Sequence, residues 1–196
     1  MKGYALHRRD SLIITAIDIM DELGFKGLST REIAKRENVS EATLFRHYSN
    51  KNQLLIAVFD YFAKFDEDIF QSTILMRLKP KDAITYFVKS SVEYYENYPA
   101  ITSIMQVFDV VRYEPELEDK VKSILEHRTL FLKQLIEEAK ELGELPSDLN
   151  SENLADLING LCREICLKWR FNHKEFSLTE RTMSTLSIIL DSLFTS

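Results

Sequence analysis

The scarcity of chain-breaking residues is the feature that most constrains how this sequence can fold. The 196 residues include five glycines and four prolines. A β-sandwich or β-barrel needs many turns, and such turns depend heavily on glycine and proline. Along most of the chain, apolar side chains instead recur every three or four residues, which is the period of an amphipathic helix. The sequence therefore predicts an all-α protein.

Breaks in this helical pattern divide the chain into a series of predicted helices. Gly24 and Gly143 are expected to end two of them, and Asn38 to occupy a left-handed turn. Ser29 and Ser177 each precede a glutamate by three residues, which is the spacing of a capping box. The predicted helices cover residues 9–23, 30–37, 41–48, 51–78, 81–97, 100–112, 116–142, 151–172 and 178–194.

The composition is typical of a globular protein that neither spans a membrane nor depends on disulfides. Hydrophobic residues make up 45% of the chain and charged residues 29%. No apolar run approaches the roughly 18 residues of a membrane span. The amino terminus is basic but leads into no apolar export signal, and two cysteines are too few for a disulfide framework. We expect a soluble cytoplasmic protein with no membrane partner.

Charge is unevenly distributed along the chain. The formal net charge is -6, which by itself argues against a nucleic-acid ligand. Residues 1–51, however, contain nine basic and seven acidic side chains, whereas the remainder contains 16 and 24. The amino-terminal segment is thus mildly basic and the remainder acidic, so we expect any bound polyanion at the amino-terminal end.

Two short predicted helices, residues 30–37 and 41–48, are joined by a tight turn and follow a longer helix. This order is typical of a helix-turn-helix. Ile33, Ala34 and Leu44 are spaced to pack between the helices, so the opposite face of the second helix stays free. Such a face fits the major groove of DNA, which is about 12 Å wide.

From Leu12 through Phe59 the sequence resembles the DNA-binding domain of the TetR family of bacterial transcriptional repressors. The most specific part is the run Val39-Ser40-x-Ala42-Thr43-Leu44-Phe45-x-His47-Tyr48-x-x-Lys51. The resemblance implies a helix-turn-helix domain over residues 1–51 and a helical effector-binding and dimerisation domain over residues 52–196. The residues it places against DNA are Thr30, Arg31, Ala42, Thr43, Phe45, Arg46, His47 and Lys51. Glu41, where the family more commonly has a neutral or basic residue, is a further candidate on the same surface.

Side-chain chemistry indicates how these residues would bind DNA. Arg31 and Lys51 can pair with phosphates, and Arg46 can either grip a phosphate or reach a guanine edge. Phe45 stands where the family commonly has tyrosine, so we expect stacking on a sugar or a thymine methyl group instead of a phosphate hydrogen bond. Glu41 has two open interpretations, acceptance from a cytosine amine or stabilisation of the helix amino end.

Aromatic and polar side chains on two later helices form a candidate effector site. Such stripes are also typical of a hydrophobic core, and both interpretations stay open. Repressors of the family commonly bind an inducer in an apolar cavity, which indicates a small apolar or aromatic effector here. Arg112 would anchor a negatively charged group of this ligand. The candidate residues are Phe87, Ser91, Tyr94, Met105, Phe108 and Arg112.

The last two predicted helices carry more apolar surface than one core requires. A helix that is apolar on two sides must face its own core and a second partner. We therefore expect these helices to form an isologous homodimer interface. The predicted interface residues are Leu154, Ile158, Leu161, Ile165, Trp169, Leu186, Leu190 and Leu193.

Candidate catalytic and metal-binding groups are sparse. The carboxylates of residues 66–68 and 137–138 are expected on solvated helix faces, so they do not form an acid–base pair. Cys162 and Cys166 are interpreted as small apolar core residues, because no ligand spacing joins them to the histidines at positions 7, 47, 127 and 173. We expect no enzyme activity, no metal and no cofactor.

These observations together predict a homodimeric, ligand-responsive transcriptional repressor. It would bind double-stranded DNA at a pseudo-palindromic operator and be released by a small-molecule inducer. The alternative within the same class is an activator, or a DNA-binding regulator without a small-molecule effector. A helical protein whose head binds another protein is the alternative from a different class, and the salt dependence of DNA binding separates the two.

Overall fold

The computed structural model describes residues 8–194. Over this range the chain forms nine α-helices, one short 3₁₀ helix and no strand. The helices are α1 (Arg8–Gly27), α2 (Thr30–Arg36), α3 (Glu41–His47), α4 (Lys51–Leu75), α5 (Pro80–Asn97), α6 (Ser103–Val111), α7 (Pro115–Glu141), α8 (Ser151–Phe171) and α9 (Leu178–Leu193), with the 3₁₀ helix (Pro99–Thr102) before α6. The all-α prediction is confirmed.

Side-chain caps and a left-handed residue set several helix ends where the sequence predicts them. The Ser29 hydroxyl accepts a 3.1 Å hydrogen bond from the Glu32 amide at the start of α2. The Ser177 hydroxyl accepts one of the same length from the Glu180 amide at the start of α9. Asn38 has φ of 53°, which is the left-handed turn expected after α2.

Three helix boundaries differ by more than one residue from those that the sequence predicts. Helix α4 ends at Leu75 instead of residue 78, because Arg77 takes a left-handed conformation with φ of 49°. Helix α1 continues past Gly24, whose φ of 68° interrupts the helical geometry without ending the helix. The segment predicted to begin at residue 100 starts as the 3₁₀ helix and becomes α-helical at Ser103.

The chain divides into two compact units, and α4 contributes to both. The first unit consists of the chain up to Lys64 together with Tyr98–Ser123. The second consists of Phe65–Asn97 and of the chain from Ile124 onward. The predicted division between residues 51 and 52 lies at the start of α4, whereas the two units part within that helix.

The first unit has a core that joins the helix-turn-helix to α4 and α6. Leu12 and Ile17 on α1 are fully buried. Farther along, Phe108 on α6 meets the rings of Phe59 and Phe62 edge-on, with centroids 5.8 and 6.0 Å apart. The first half of α4 is therefore held by apolar packing as well as by its connection to α3.

The second unit has an aromatic core and a long-range helix cap. Phe70 stacks on Phe131 with ring centroids 4.5 Å apart. Helix α9 packs against α5 and α8. The Glu96 carboxylate on α5 accepts hydrogen bonds from the amides of Leu178 and Thr179, at 2.9 and 3.1 Å. These bonds satisfy backbone donors that the first turn of α9 leaves without helical partners.

Among the described residues, no helix combines the length and the apolar character that a membrane crossing requires.

Candidate functional site

Helix α3 is held on a buried apolar base. Leu44 and Tyr48 are buried beneath it, and the Tyr48 hydroxyl donates a 3.0 Å hydrogen bond to the carbonyl of Arg9 on α1. The Ser40 hydroxyl caps the helix by accepting from the Thr43 amide at 3.2 Å. These contacts fix the orientation of α3, so its opposite face is presented to solvent as a rigid surface.

The predicted DNA-contacting residues lie on this solvent-facing side and at the adjoining starts of α2 and α4. Three of them are only half-buried, namely Thr30, Thr43 and Lys51. The others are exposed, namely Arg31, Glu41, Ala42, Phe45, Arg46 and His47. All nine belong to the first unit, and the exposed apolar ring of Phe45 is the kind of group that can pack on a sugar or a thymine methyl group.

Several of these side chains already make hydrogen bonds within the protein. The Thr30 hydroxyl donates to the Glu41 carboxylate at 2.7 Å. The Arg46 guanidinium donates to the Thr43 hydroxyl at 3.0 Å. A DNA phosphate or base edge would therefore have to replace or share these bonds. The sequence reveals the residues but not these pairings.

Lys51 is more restricted than the sequence indicates. Its Nζ donates a 2.7 Å hydrogen bond to the Leu28 carbonyl and lies 4.7 Å from the centroid of the Phe25 ring. Burial lowers the pKa of Lys51. Because an ammonium group has three N–H donors, this bond leaves two for an external acceptor.

Glu37 forms a polar junction between α1 and the end of α2 that sequence reasoning missed. Its carboxylate accepts hydrogen bonds from Ser11 at 2.7 Å, Thr15 at 2.5 Å and Arg8 at 3.0 Å. Burial acts to raise the pKa of Glu37, but these three donors lower it overall. The signal in the sequence is the pair of hydroxyl residues, Ser11 and Thr15, one helical turn apart on α1.

The predicted effector residues are divided between the two units. Phe87 and Ser91 are buried in the second unit, and Tyr94 is half-buried there against the ring of Phe65. The Ser91 hydroxyl donates to the Phe87 carbonyl at 2.9 Å, so it already has an acceptor. The three residues predicted from the next helix are in the first unit, namely Met105, Phe108 and Arg112. Their joint role stays a prediction.

The structure exposes Arg112 and buries a different charged pair. The Arg112 side chain is 57% exposed and lies 3.4 Å from Asp109, so it is not enclosed by apolar residues. Asp66 was expected on a solvated helix face, and that prediction is wrong. It is 5% exposed, and its Oδ2 lies 3.3 Å from Nε of Arg128 on α7. Asp66 is four residues after Phe62, so it shares the apolar face of α4, and that spacing could have identified it.

The two cysteines lie on α8 in the second unit. Cys166 is buried and Cys162 half-buried, and neither forms a disulfide. Burial raises the pKa of Cys162 to about 11, so the thiol is protonated at neutral pH. No group of three or more candidate metal ligands occurs in the part of the chain that is described, and His7 lies outside that part.

Most of the predicted dimer residues contribute to the core of their own chain. Leu154, Ile158, Leu186 and Leu190 belong to the hydrophobic core of the second unit. Ile165 and Trp169 are also buried, whereas Leu161 and Leu193 are half-buried. The large apolar residues on the same helices that remain exposed are Leu157, at 52%, Phe171, at 78%, and Ile188, at 71%.

Comparison with known proteins agrees with this architecture. Residues 12–58 match the family described as bacterial regulatory proteins, tetR family. Residues 60–192 match the family described as YsiA-like protein, C-terminal region. The second match alone covers more than half of the chain.

Individual relatives cover nearly the whole length. The fatty acid metabolism regulator protein of Bacillus subtilis is 22% identical over 187 residues, which is 93% of each chain. Two solved structures share the fold, each with a TM-score of 0.82. One is the fatty acid degradation regulator FadR of Bacillus halodurans, at 21% identity over 94% of this chain and 98% of that one. The other is FadR of Bacillus subtilis in complex with stearoyl-CoA, at 20% identity over 92% and 97%.

The helix-turn-helix and both family matches point to one class of protein. The resemblance over residues 12–59 is confirmed, and the second match extends the similarity to the carboxy-terminal helices. The members of this class are transcriptional regulators and not enzymes. The chain belongs to the TetR family of bacterial regulatory proteins, with a YsiA-like carboxy-terminal region.

Proposed function

We propose that this regulator is a homodimeric repressor that binds a pseudo-palindromic operator and is released by a small-molecule inducer. The observation that carries the proposal is the exposed outer face of α3 above the buried Leu44 and Tyr48. A rigid helix with exposed polar and cationic side chains suits the major groove. Arg31, Arg46 and Lys51 supply the cations that phosphate binding requires.

We infer dimerisation from the small area of DNA that one helix-turn-helix can contact. A single helix-turn-helix buries too little DNA for tight and specific binding, so such proteins pair two heads on one operator. We place the interface on the outer faces of α8 and α9. Leu157 and Ile188 are exposed there, and their burial against a second copy would remove two large apolar side chains from water.

The effector is a small molecule with a substantial apolar part. The relatives support this, because one is named a fatty acid metabolism regulator and another was solved with stearoyl-CoA. We propose a long-chain acyl thioester as the inducer class, bound in the carboxy-terminal helical domain. The regulator would act in the cytoplasm, where such thioesters and the chromosome are both accessible.

Selection from a random-sequence DNA library tests the DNA-binding part. The purified full-length protein should enrich a pseudo-palindrome whose half-sites lie one helical turn apart or a multiple of it, near 34–36 Å. Ala42→Asp places an anion on the exposed face of α3 and should abolish enrichment. Ser147→Asp adds the same charge in an exposed loop of the second unit and should leave enrichment unchanged.

Addition of stearoyl-CoA to the protein–operator complex tests the ligand response. Release of the DNA at micromolar ligand supports an inducible repressor. Retention of the complex with every acyl thioester tried would instead favour a regulator without this effector class. Transcription in vitro from a promoter that overlaps the operator separates a repressor from an activator.

A further inference from the structure

Arg9 is a cation of the first unit that lies outside the DNA-contacting residues considered so far. It is in the first turn of α1 and is exposed to solvent. No ion pair joins its guanidinium to a described carboxylate, that of the adjacent Asp10 included, whereas Arg8 is paired with Glu37 at 3.0 Å. Residues 1–7, which precede the described range, contain no acidic side chain. The positive charge of Arg9 is therefore available to an external anion.

The last turn of α3 holds the Arg9 side chain in place. The Arg9 Cζ lies 5.3 Å from the centroid of the Tyr48 ring, and the Tyr48 hydroxyl donates a 3.0 Å hydrogen bond to the Arg9 carbonyl. Burial raises the pKa of this hydroxyl, and the Arg9 guanidinium opposes that rise, in part as a hydrogen-bond donor. Tyr48 is 3% exposed, so its ring is a fixed support. An arginine ordered in this way loses less rotamer freedom when it binds a ligand.

The contact with Tyr48 places this cation beside residues expected to bind DNA. Tyr48 directly follows His47, the last residue of α3, and lies three residues before Lys51, the first residue of α4. His47 and Lys51 both belong to the proposed DNA-contacting surface. Since the Arg9 guanidinium lies against the ring of a residue between them, it borders that surface at the end of α3.

Lys51 is ordered in a similar way, which supports a shared role for the two cations. Its ammonium lies 4.7 Å from the centroid of the Phe25 ring and donates to the Leu28 carbonyl. Both cations thus rest on an aromatic ring of the first unit and keep N–H donors for an external acceptor. Acceptance by the Tyr48 hydroxyl uses one of the five guanidinium donors of Arg9, so four remain.

We propose that Arg9 binds a phosphate of the DNA backbone and extends the DNA-contacting surface from α2, α3 and α4 to the first turn of α1. A guanidinium fits a phosphate because it can donate two parallel hydrogen bonds to its oxygens. The contact carries no base information, since phosphates are common to all sequences. The proposal rests on the proposed function, because it adds a contact to the same DNA-bound state.

Two substitutions separate the charge of Arg9 from its packing. Arg9→Met keeps an apolar stem on the Tyr48 ring without the cation, whereas Arg9→Lys keeps the cation. Fluorescence anisotropy at several salt concentrations measures binding of the full-length protein to the selected operator and to a scrambled duplex of equal length. Arg9→Met should weaken both complexes about fivefold to thirtyfold at low salt and lower the dependence of log affinity on log salt by about one per bound protomer. Arg9→Lys should stay within about threefold of the wild type, since lysine also binds phosphate.

Neutral phosphates in the operator locate the contact. Single methylphosphonate groups are placed, one at a time, along and beside each half-site. At the phosphate that Arg9 binds, this change should weaken wild-type binding about threefold to tenfold and leave Arg9→Met unaffected. Arg77→Met removes an exposed arginine of the second unit and should change neither affinity nor salt dependence. Thermal unfolding followed by circular dichroism shows whether each variant keeps its fold.

The proposal is overturned if Arg9→Met binds both duplexes with wild-type affinity and salt dependence. It is also overturned if Arg9→Lys loses as much affinity as Arg9→Met, because Arg9 then acts only by supporting α3 through Tyr48. A third contrary result is that every methylphosphonate weakens Arg9→Met as much as the wild type. Failure of the proposed function is a separate result, in which the wild-type protein binds neither duplex at low salt.

Discussion

The Thr30 hydroxyl donates a 2.7 Å hydrogen bond to the Glu41 carboxylate, and this bond joins the first turns of α2 and α3. Both residues lie in the surface expected to meet DNA. The Thr30 hydroxyl therefore donates its one hydrogen to this carboxylate instead of to a phosphate. The carboxylate also places a negative charge where phosphates would approach. We therefore predict that Glu41 limits non-specific affinity for DNA, in addition to any contact it makes with a base.

Glu41→Gln should raise affinity for DNA of any sequence. Removal of one carboxylate eliminates its repulsion of phosphates and weakens its hold on Thr30, so we expect about a threefold to tenfold gain at low salt. Fluorescence anisotropy with operator and with unrelated duplexes measures both affinities. Glu138→Gln, at an exposed position on α7, makes the same charge change as a control. Equal or weaker binding of unrelated DNA by Glu41→Gln would contradict this role.

Arg46→Ala should relax base preference at one position of each half-site. Arg46 is anchored on α3 by its 3.0 Å hydrogen bond to Thr43, and its guanidinium can still reach a guanine edge. The expected cost is about 1–3 kcal/mol on the preferred operator and much less on operators altered at that base pair. A panel of single-base operator variants measures this. Uniform weakening across the panel would assign Arg46 to a phosphate instead.

Lys51→Ala should weaken binding to all sequences alike. A phosphate contact releases counterions, so its loss lowers the dependence of log affinity on log salt by about one per contact. The variant also loses the bond to the Leu28 carbonyl, and thermal unfolding must therefore be measured beside DNA binding. Lys51→Met keeps most of the packing on Phe25 and serves as the control. An unchanged salt dependence in both variants would exclude the phosphate contact.

Glu37 should make the stability of the first unit sensitive to acid. Its pKa is lower in the folded state than the ordinary value of 4.5. The stabilisation is therefore fully present above pH 4.5 and is lost as pH falls through the lowered value. Glu37→Gln should reduce the free energy of unfolding at pH 7 by about 1–3 kcal/mol. Denaturant unfolding at pH 7 and pH 3 should show a smaller difference between the two proteins at pH 3.

Leu157→Glu combined with Ile188→Glu should yield a folded monomer. Both side chains are exposed in the single chain, so the change leaves the core intact but places charge in the proposed interface. Sedimentation velocity gives the mass, and circular dichroism reports the helical content. Leu142→Glu, at another exposed leucine, is the control. A dimer that survives the double change would move the interface elsewhere.

Local sequence signals were sufficient to predict the helix-turn-helix. The caps at Ser29 and Ser40 act within three residues, and the left-handed turn at Asn38 depends on one residue. Such features follow from the backbone preferences of individual residue types, which can be read directly from the sequence. The helical spacing that predicts burial of Leu44 also predicts that the opposite face of α3 is exposed.

Contacts between residues far apart in the chain could not be predicted from the sequence. Glu37 meets Ser11 across 26 residues, and Asp66 meets Arg128 across 62, so neither pair has a local signature. The apolar stripes of α8 and α9 identified buried positions but not which neighbour buries them. Ile158, for example, is fully buried within the core of its own unit. Which apolar residues of these two helices stay exposed emerged only from the packed structure.

The bond from the Leu178 amide to Glu96 joins residues 82 positions apart, so it can form only after the ribosome has added the intervening segment. At roughly 5–20 residues per second, a ribosome needs about 4–16 s to add the intervening segment. Until α9 has been made, the apolar side of α5 lacks the helix that covers it, and incomplete chains present that surface to chaperones and proteases. We therefore expect incomplete chains to be degraded faster than complete ones.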